Sequence, residues 1–512
     1  MSATARLKTS NAPAPLSHAA MPLRSVASHV ARSATSAREL NGILRLLTCG
    51  SVDDGKSTLI GRLLWDASDL YDDQRATIEC SKLAGKSGQP DFSLLLDGLA
   101  AEREQGITID IAWRYFDTQK RRFVVIDSPG HEQYTRNMAS GASHADVAIM
   151  LVDARTGVKK QTRRHAAILD LVGVRRVVLA VNKMDLVDFD PAKFDAIAAE
   201  FVTLTKRFGF TEAIAIPVSA VHGDNLAGRS AHTPWYHGPT LLDHLDSLPS
   251  RVTQAGGAFR MPVQTVLRDG LDFRGLAGTV TSGDVCVGDR IVDALSGQSS
   301  RVLRIATFGR DLEMARAGQA VAIQLEHDLD IARGAVLSGA GPEPVTATSL
   351  DVRFVWLNET AFDPMANYLL RTATDLVPVA KLTIEALLDL ESLETRPAAV
   401  CAMNDIALAT LELARPSAVD VFAELPQTGC VMFVDALTGA SVAGGVIAAA
   451  RAGALARDRQ AEGAFVLSRE LLAAGVCAGL GQSAADRAEF ERRAHEVAIL
   501  FGAAGVAVSL KI

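Results

Sequence analysis

Gly50-Ser51-Val52-Asp53-Asp54-Gly55-Lys56-Ser57-Thr58 has the form G-x-x-x-x-G-K-[ST]. The run before it, Ile43-Leu44-Arg45-Leu46-Leu47-Thr48-Cys49, is apolar enough for a buried strand, and Leu59-Ile60-Gly61-Arg62-Leu63-Leu64-Trp65 after it has helical spacing. A strand, this loop and a helix make a phosphate-binding P-loop. Successive backbone N–H groups curl around phosphate oxygens, and the helix N-terminus adds the positive end of its dipole. Gly50 and Gly55 let the backbone turn and approach where a Cβ would clash. Lys56 has the reach for β- and γ-phosphates, and the Ser57 hydroxyl can ligate Mg²⁺.

Outward from the loop, strand-like runs alternate with helical patterns as far as Ser250. Arg122–Ile126, Val147–Val152, Val177–Val181 and Ala213–Val218 read as strands; Gln161–Leu171 and Lys193–Arg207 read as helices. Such alternation predicts an α/β domain over residues 41–250, a parallel sheet with helices on both faces. Ligand loops then sit at the carboxyl ends of the strands, where most of the further motifs fall.

Glu102-Arg103-Glu104-Gln105-Gly106-Ile107-Thr108-Ile109-Asp110 reads as a switch loop whose Thr108 can reach Mg²⁺ and a γ-phosphate. Asp127-Ser128-Pro129-Gly130-His131 follows a strand. There Asp127 can hold Mg²⁺ through water, the Gly130 N–H can sense the γ-phosphate, and His131 can orient an attacking water. Lys56, Thr108 and His131 are thus the candidate catalytic residues. Asn182-Lys183-Met184-Asp185 follows another strand. A carboxylate at Asp185 can accept from guanine N1–H and its exocyclic amine, which adenine does not offer. Asn182 braces that loop, the Lys183 stem can cover the base, and the Ser219-Ala220 backbone can reach the base oxygen. The nucleotide expected is GTP with Mg²⁺.

The remaining sequence bounds the rest. A chain of 512 residues is too long for one core, so about three domains are expected. The formal net charge of -7 makes non-specific nucleic-acid binding unexpected. Cys49, Cys80, Cys286, Cys401, Cys430 and Cys477 form no C-x-x-C pair, as for reduced thiols in the cytoplasm. No stretch reads as a membrane span; the Ala/Gly-rich run Thr438–Ala456 is broken by Arg451. Residues 1–40, rich in Ser, Ala and Pro, read as a disordered extension with a superficial likeness to a transit peptide. Ser250–Gly257 reads as a linker. Two small antiparallel β-barrels are expected at 258–342 and 345–447. The first rests on Met261–Leu267, Gly278–Thr281, Arg290–Asp293, Val302–Thr307 and Ala320–Leu325, the second on Leu350–Trp356, Val377–Leu382, Asp405–Leu413 and Cys430–Val434. Residues 448–512 read as a helical, Ala-rich tail.

The order of these motifs resembles a translation-factor-type GTPase. Within that superfamily the text is most similar to the GTPase (large) subunit of sulfate adenylyltransferase. The likeness is carried by Gly50–Leu64, Asp97–Asp110, His131-Glu-Gln-Tyr-Thr-Arg-Asn-Met, Gln161-Thr-Arg-Arg-His and Asp272-Phe-Arg-Gly. It runs from Leu44 to Ile447. The resemblance implies a heterodimer with a small catalytic subunit that makes adenosine 5'-phosphosulfate and pyrophosphate from ATP and sulfate. GTP hydrolysis on this chain would drive that step, with no nucleic acid or membrane involved. An elongation factor that binds aminoacyl-tRNA is the alternative, since a GTPase domain with two barrels fits both. Asp54, where elongation factors usually carry His, and Gln133-Tyr134-Thr135-Arg136 favour the first.

Three departures stand out. Ser128 stands where the family more often has Thr, and Ala335 where an acidic residue is expected. The second barrel keeps only scattered likeness, at Val355-Trp356, Leu393-Glu394 and Thr428-Gly429, which puts partner contacts there in doubt. The stretch Gly479–Gly505 resembles a piece of adenylylsulfate kinase. No second G-x-x-x-x-G-K-[ST] follows Ile447, so a decayed remnant without kinase activity is expected, an unrelated Ala-rich tail being the alternative.

Overall fold

The computed structural model describes residues 42–67, 92, 108–249, 257–270, 273–339, 341–452, 465–468, 484–503 and 508–511. The N-terminal extension, the linker at 250–256, the switch residues before Thr108, Cys80, Asp272 and Cys477 lie outside them.

The first unit is a six-stranded sheet built from β1 (Ile43–Gly50), β2 (Ala112–Asp117), β3 (Arg122–Asp127), β4 (Val147–Asp153), β5 (Arg176–Asn182) and β6 (Glu212–Pro217), in the order β2-β3-β1-β4-β5-β6. Five of these strands run parallel; β2, which the sequence pattern missed, pairs antiparallel with β3 at one edge. Strand periodicity divides β1 between two cores. Leu44 and Leu46 pack with Leu59, Ile60 and Leu63 of the helix Lys56–Ala67 on one face. Leu47 and Cys49 pack with Met138, Ala166 and Ile168 of the helices Thr135–Ala142 and Lys160–Leu171 on the other. Full burial pushes the Cys49 thiol up to about 12, so it is an inert core group.

Two closed antiparallel barrels follow. The first runs Arg290–Asp293, Val336–Ser338, Arg260–Asp269, Phe273–Thr279, Ala320–Leu325, Ser299–Thr307 and back to its first strand. The second runs Tyr368–Arg371, Cys430–Asp435, Ser441–Ala452, Val345–Trp356, Ile406–Val419, Leu376–Leu388 and likewise closes. Closure leaves few strand edges exposed.

Two expectations are corrected. The run Gly278–Thr281 marks only the end of a strand that begins at Phe273. Its Gly275 and Gly278 look like breaks, but at Gly278 a Cβ would collide with the Pro262 carbonyl of the neighbouring strand, so glycine is what lets the strands approach. The tail after Ala448 is not purely helical. Ala448–Ala452 completes the strand Ser441–Ala452, where Ala449 and Ala450 pair with Asp351 and Leu350. Tertiary pairing overrides alanine's helical preference there. Beyond it, Phe465–Ser468 and Val508–Lys511 pair in parallel around the helix Ala484–Ala503, a small βαβ-type unit.

The third unit is not a separate body. Val355, Ile406, Phe422 and Val446 of the second barrel belong to the same buried cluster as Met138 and Ile168. Arg353 reaches Asp170 at 3.0 Å. The first barrel is fixed to the second by Arg260, whose Nη2 lies 3.2 Å from Asp420. Both side chains are buried, and the Thr428 hydroxyl donates to the same carboxylate at 2.6 Å.

Candidate nucleotide-binding site

The cradle forms between β1 and its helix. Asp53 and Gly55 have φ of 69° and 91°, the left-handed turn that lets successive N–H groups converge. Gly55 is also a contact glycine, because a Cβ there would lie 2.5 Å from Asn182 Nδ2. Asp54 is buried; its Oδ2 accepts from the Ser51 N–H at 2.7 Å and its Oδ1 lies 3.3 Å from Lys159 Nζ. Burial raises the Asp54 carboxyl above its ordinary value, while Lys159 pulls the other way. Burial likewise makes Lys56 easier to deprotonate, opposed by Asp127 and Asp54. Its ammonium donates to the Gly50 and Ser51 carbonyls at 2.9 Å each. Val52, Ser57 and Thr58 are half-buried on the cradle and the helix start.

The end of β3 comes up beside this lysine. Gly130 is packed so closely that a Cβ would collide with Lys56 Nζ and the Gly50 carbonyl. The Thr48 hydroxyl donates to Asp127 Oδ1 at 3.3 Å, and the Ser128 hydroxyl donates to the Thr48 carbonyl at 2.7 Å. The serine that departs from the family pattern therefore keeps the bond a threonine would make. Pro129 is buried beneath the turn. His131 caps the short 3₁₀ turn Glu132–Tyr134, its Nδ1 accepting from the Gln133 N–H at 3.3 Å. With Nδ1 an acceptor, the neutral ring carries its proton on Nε2. Thr108 is half-buried, and the adjacent Ile109 carbonyl accepts from Asn137 Nδ2 at 2.9 Å.

At the end of β5, Asn182 ties two loops together. Its Nδ2 donates to the Asp54 carbonyl at 2.9 Å, and its Oδ1 accepts from the Ala220 N–H at 3.0 Å. Lys183 is left-handed at φ 62°; its ammonium donates to the Asp53 carbonyl and lies 3.1 Å from Asp153. Asp185 accepts from the Ser219 hydroxyl at 2.6 Å, and Met184 is fully buried. The predicted residues of the Gly50–Thr58, Asp127–His131, Asn182–Asp185 and Ser219-Ala220 segments thus gather at the carboxyl ends of β1, β3 and β5 and the loop after β6, while Thr108 lies ahead of β2.

Lys159, Asp153, Thr48 and Arg164 escaped the motif reading. Asp153 had a signal: it is an acidic residue at the end of an apolar strand, and the register sets it directly across from Asn182. Its carboxyl is held well below the ordinary range by Arg155 and Lys183, against the opposing effect of burial.

The donors fit a hard cation. Ser57, Thr108 and Asp127 offer oxygen only, too few for an all-protein cage, as befits Mg²⁺ that keeps waters and phosphates as ligands. Among the described residues no cluster of three His, Cys, Asp or Glu side chains forms a separate metal site.

The elongation factor Tu GTP binding domain family matches residues 41–251, and the GTP-eEF1A C-terminal domain-like family matches 349–448. Sulfate adenylyltransferase subunit 1 of Laribacter hongkongensis is 45% identical over 80% of this chain and 86% of its own length. The subunit 1 of Methylorubrum extorquens is 47% identical over 79% and 87%. The bifunctional enzyme NodQ of a Rhizobium species is 47% identical over 81% of this chain, which spans 65% of that longer protein. GTP is the nucleotide of this domain, and the chain belongs to the sulfate adenylyltransferase subunit 1 family, whose GTPase domain is of the elongation-factor-Tu type.

Proposed function

We propose that this chain binds GTP with Mg²⁺ and hydrolyses it to drive the formation of adenosine 5'-phosphosulfate and pyrophosphate from ATP and sulfate on a separate small catalytic subunit. The observation that carries the GTPase half is the pair of hydrogen bonds made by the Asn182 amide, which joins the phosphate cradle at Asp54 to the base-side loop at Ala220. A nucleotide is thereby read as one object, base and phosphates together.

The Gly50–Thr58 N–H groups and Lys56 hold the β- and γ-phosphates. Ser57 and Thr108, with Asp127 through water, would hold Mg²⁺, which would supply neutralisation of the charge that develops on the phosphates. The Gly130 N–H contacts the γ-phosphate, and its closeness to Lys56 means both move with that group. His131 orients the attacking water, with Nδ1 anchored on the turn and Nε2 turned to its task. Asp185 selects guanine, aligned by the Ser219 hydroxyl. The chain works in the cytoplasm as the GTPase half of a heterodimer. Its domains divide at 41–250, 258–342 and 345–452, the last strand running to Ala452. Residues 453–512, without a P-loop, form a decayed kinase fragment.

Co-expression with the small sulfurylase subunit tests the reading. Pyrophosphate release from ATP and sulfate should rise when GTP is added. Equal rates with and without GTP, or two chains that do not co-purify, would reject it. Asp185→Asn should shift preference from guanine toward xanthine nucleotides; retained guanine selectivity removes Asp185 from its role.

A further inference from the structure

Two stretches that carry the family likeness, His131-Glu-Gln-Tyr-Thr-Arg-Asn-Met and Gln161-Thr-Arg-Arg-His, meet at the turn carrying His131. Glu132 is held at two points. Its carboxylate accepts from Arg164 Nη1 at 3.2 Å, and its backbone carbonyl accepts from Asn404 Nδ2 at 2.9 Å. Arg164 stands on the helix Lys160–Leu171, whereas Asn404 stands on the second barrel, in a loop before the strand Ile406–Val419. The two clamps therefore come from different domains.

Each clamp is itself fixed. Only 11% of the Arg164 side chain is exposed, and the same Nη1 donates to Gln161 Oε1 at 2.6 Å. With its oxygen so used, Gln161 turns its amide nitrogen to His165 Nε2, 3.0 Å away. His165 is fully buried, and burial, helped by Lys56 and Arg164, lowers it to about 3. It is a neutral floor to the network. Asn404 is left-handed at φ 72°, and its N–H donates to the Trp356 carbonyl at 2.7 Å. Non-glycine residues hold that conformation when surroundings over-determine it. Just beyond the turn, Arg136 donates to the Leu357 and Ser441 carbonyls, also on the second barrel.

Glu132 is the residue after His131. Fixing its carbonyl and its carboxylate fixes the peptide from which the imidazole projects, and a small misplacement of a water-orienting group costs rate without costing affinity. We propose that Arg164 and Asn404 are positioning residues for GTP hydrolysis, which clamp Glu132 from two domains and align His131 while the second barrel is seated. The inference rests on the water-orienting role proposed for His131.

Single-turnover GTP hydrolysis and GTP affinity, measured separately on the full chain, test it. Asn404→Gly suits the left-handed backbone and removes only the amide. Arg164→Met keeps the packing and removes the charge. Each should slow hydrolysis on the order of tenfold while GTP affinity stays within about twofold. Arg164→Lys should recover most of the rate. Normal hydrolysis in both variants overturns the proposal, as does a parallel loss of rate and affinity or a lysine variant as slow as the methionine one. His131→Ala, run alongside, separates the two ideas. If it hydrolyses normally, the role of His131 itself fails; if it is slow while the clamp variants are normal, only the clamp fails.

Discussion

The nucleotide domain and the second barrel both bury polar side chains, but in different places. In the first domain one group of them, Thr48, Asp54, Lys56, Asp127, Asp153 and Asn182, faces one site at the strand ends, while Asp170 lies at the seam with Arg353. In the second barrel they stand at seams. Asn404 meets Glu132, Asp420 meets Arg260, and Asp375 lies against Gly334 of the first barrel while it binds Arg415. Burying such groups is costly unless each finds a partner. The first domain bears that cost largely at its ligand site, the second barrel at its contacts with neighbours. This explains the scattered likeness of the second barrel to its family. Val355 and Leu393 pack on the nucleotide domain's core, and Thr428 holds the Asp420 that binds Arg260.

The contrast breaks most sharply at Lys56. Lys56→Ala should lower GTP affinity by roughly 10²-fold or more, about 2.7 kcal/mol, because its ammonium is held in the cradle by the Gly50 and Ser51 carbonyls and lies close against Gly130. Thermal stability should change far less. Titration with a fluorescent GTP analogue checks this, and an unchanged affinity would show that the cradle does not depend on its lysine.

The mirror experiment is at the seam. Arg260→Met leaves the Asp420 carboxylate buried with one hydroxyl partner. Removing one member of a buried pair costs about 3–5 kcal/mol. Calorimetry should show an earlier transition, with GTP affinity on the isolated chain unchanged. If affinity falls as steeply as stability, seam and site are not separable and the comparison fails.

His165 lies between the two cases, since it is buried under the site but binds no ligand. Exposed, it takes a proton near pH 6.5; folded, only near pH 3. Between those values the unfolded chain holds the proton and the folded chain does not. Its contribution to stability is therefore complete above about pH 6.5. As pH falls it is lost at up to about 1.4 kcal/mol per unit. His165→Gln should flatten the acid side of the stability profile. Equal slopes in both proteins would mean that the ring is not kept neutral by burial.

How much of this was legible in the sequence follows from the same contrast. The site was legible because its ligand groups sit in contiguous motifs, most of them directly after an apolar strand, from Gly50–Thr58 to Asn182–Asp185. The seams were not. Asn404 and Glu132 are 272 residues apart, and nothing local in Met403-Asn404-Asp405 announces a partner. Arg274 shows a middle case. It lies in the quoted Asp272-Phe-Arg-Gly, and it donates to the Leu329 and Ile331 carbonyls, beside the segment that carries the Ala335 departure. Two pieces of family text were each visible, but their contact was not. Ala335 itself packs half-buried against the first barrel's core, where an apolar side chain suits the site. Local composition also misled where pairing decides: Ala448–Ala452 became a strand because the strand Val345–Trp356 offered it a ladder.

The smallest expected effect is at Ser128, which sits in the site but acts through the backbone. Its hydroxyl donates to the Thr48 carbonyl, and Thr48 in turn donates to Asp127. Ser128→Thr keeps the donor and adds one methyl at a fully buried position. Overpacking there costs on the order of 1 kcal/mol. The Thr48–Asp127 bond should survive, so the hydrolysis rate should stay within about twofold. Ser128→Ala is the sharper control, because it leaves a buried carbonyl without its donor and loosens the strand that orients Asp127. If threonine slows hydrolysis as much as alanine does, the relevant property of Ser128 is its size rather than its hydrogen bond, and the site is packed more tightly than its polar network alone implies.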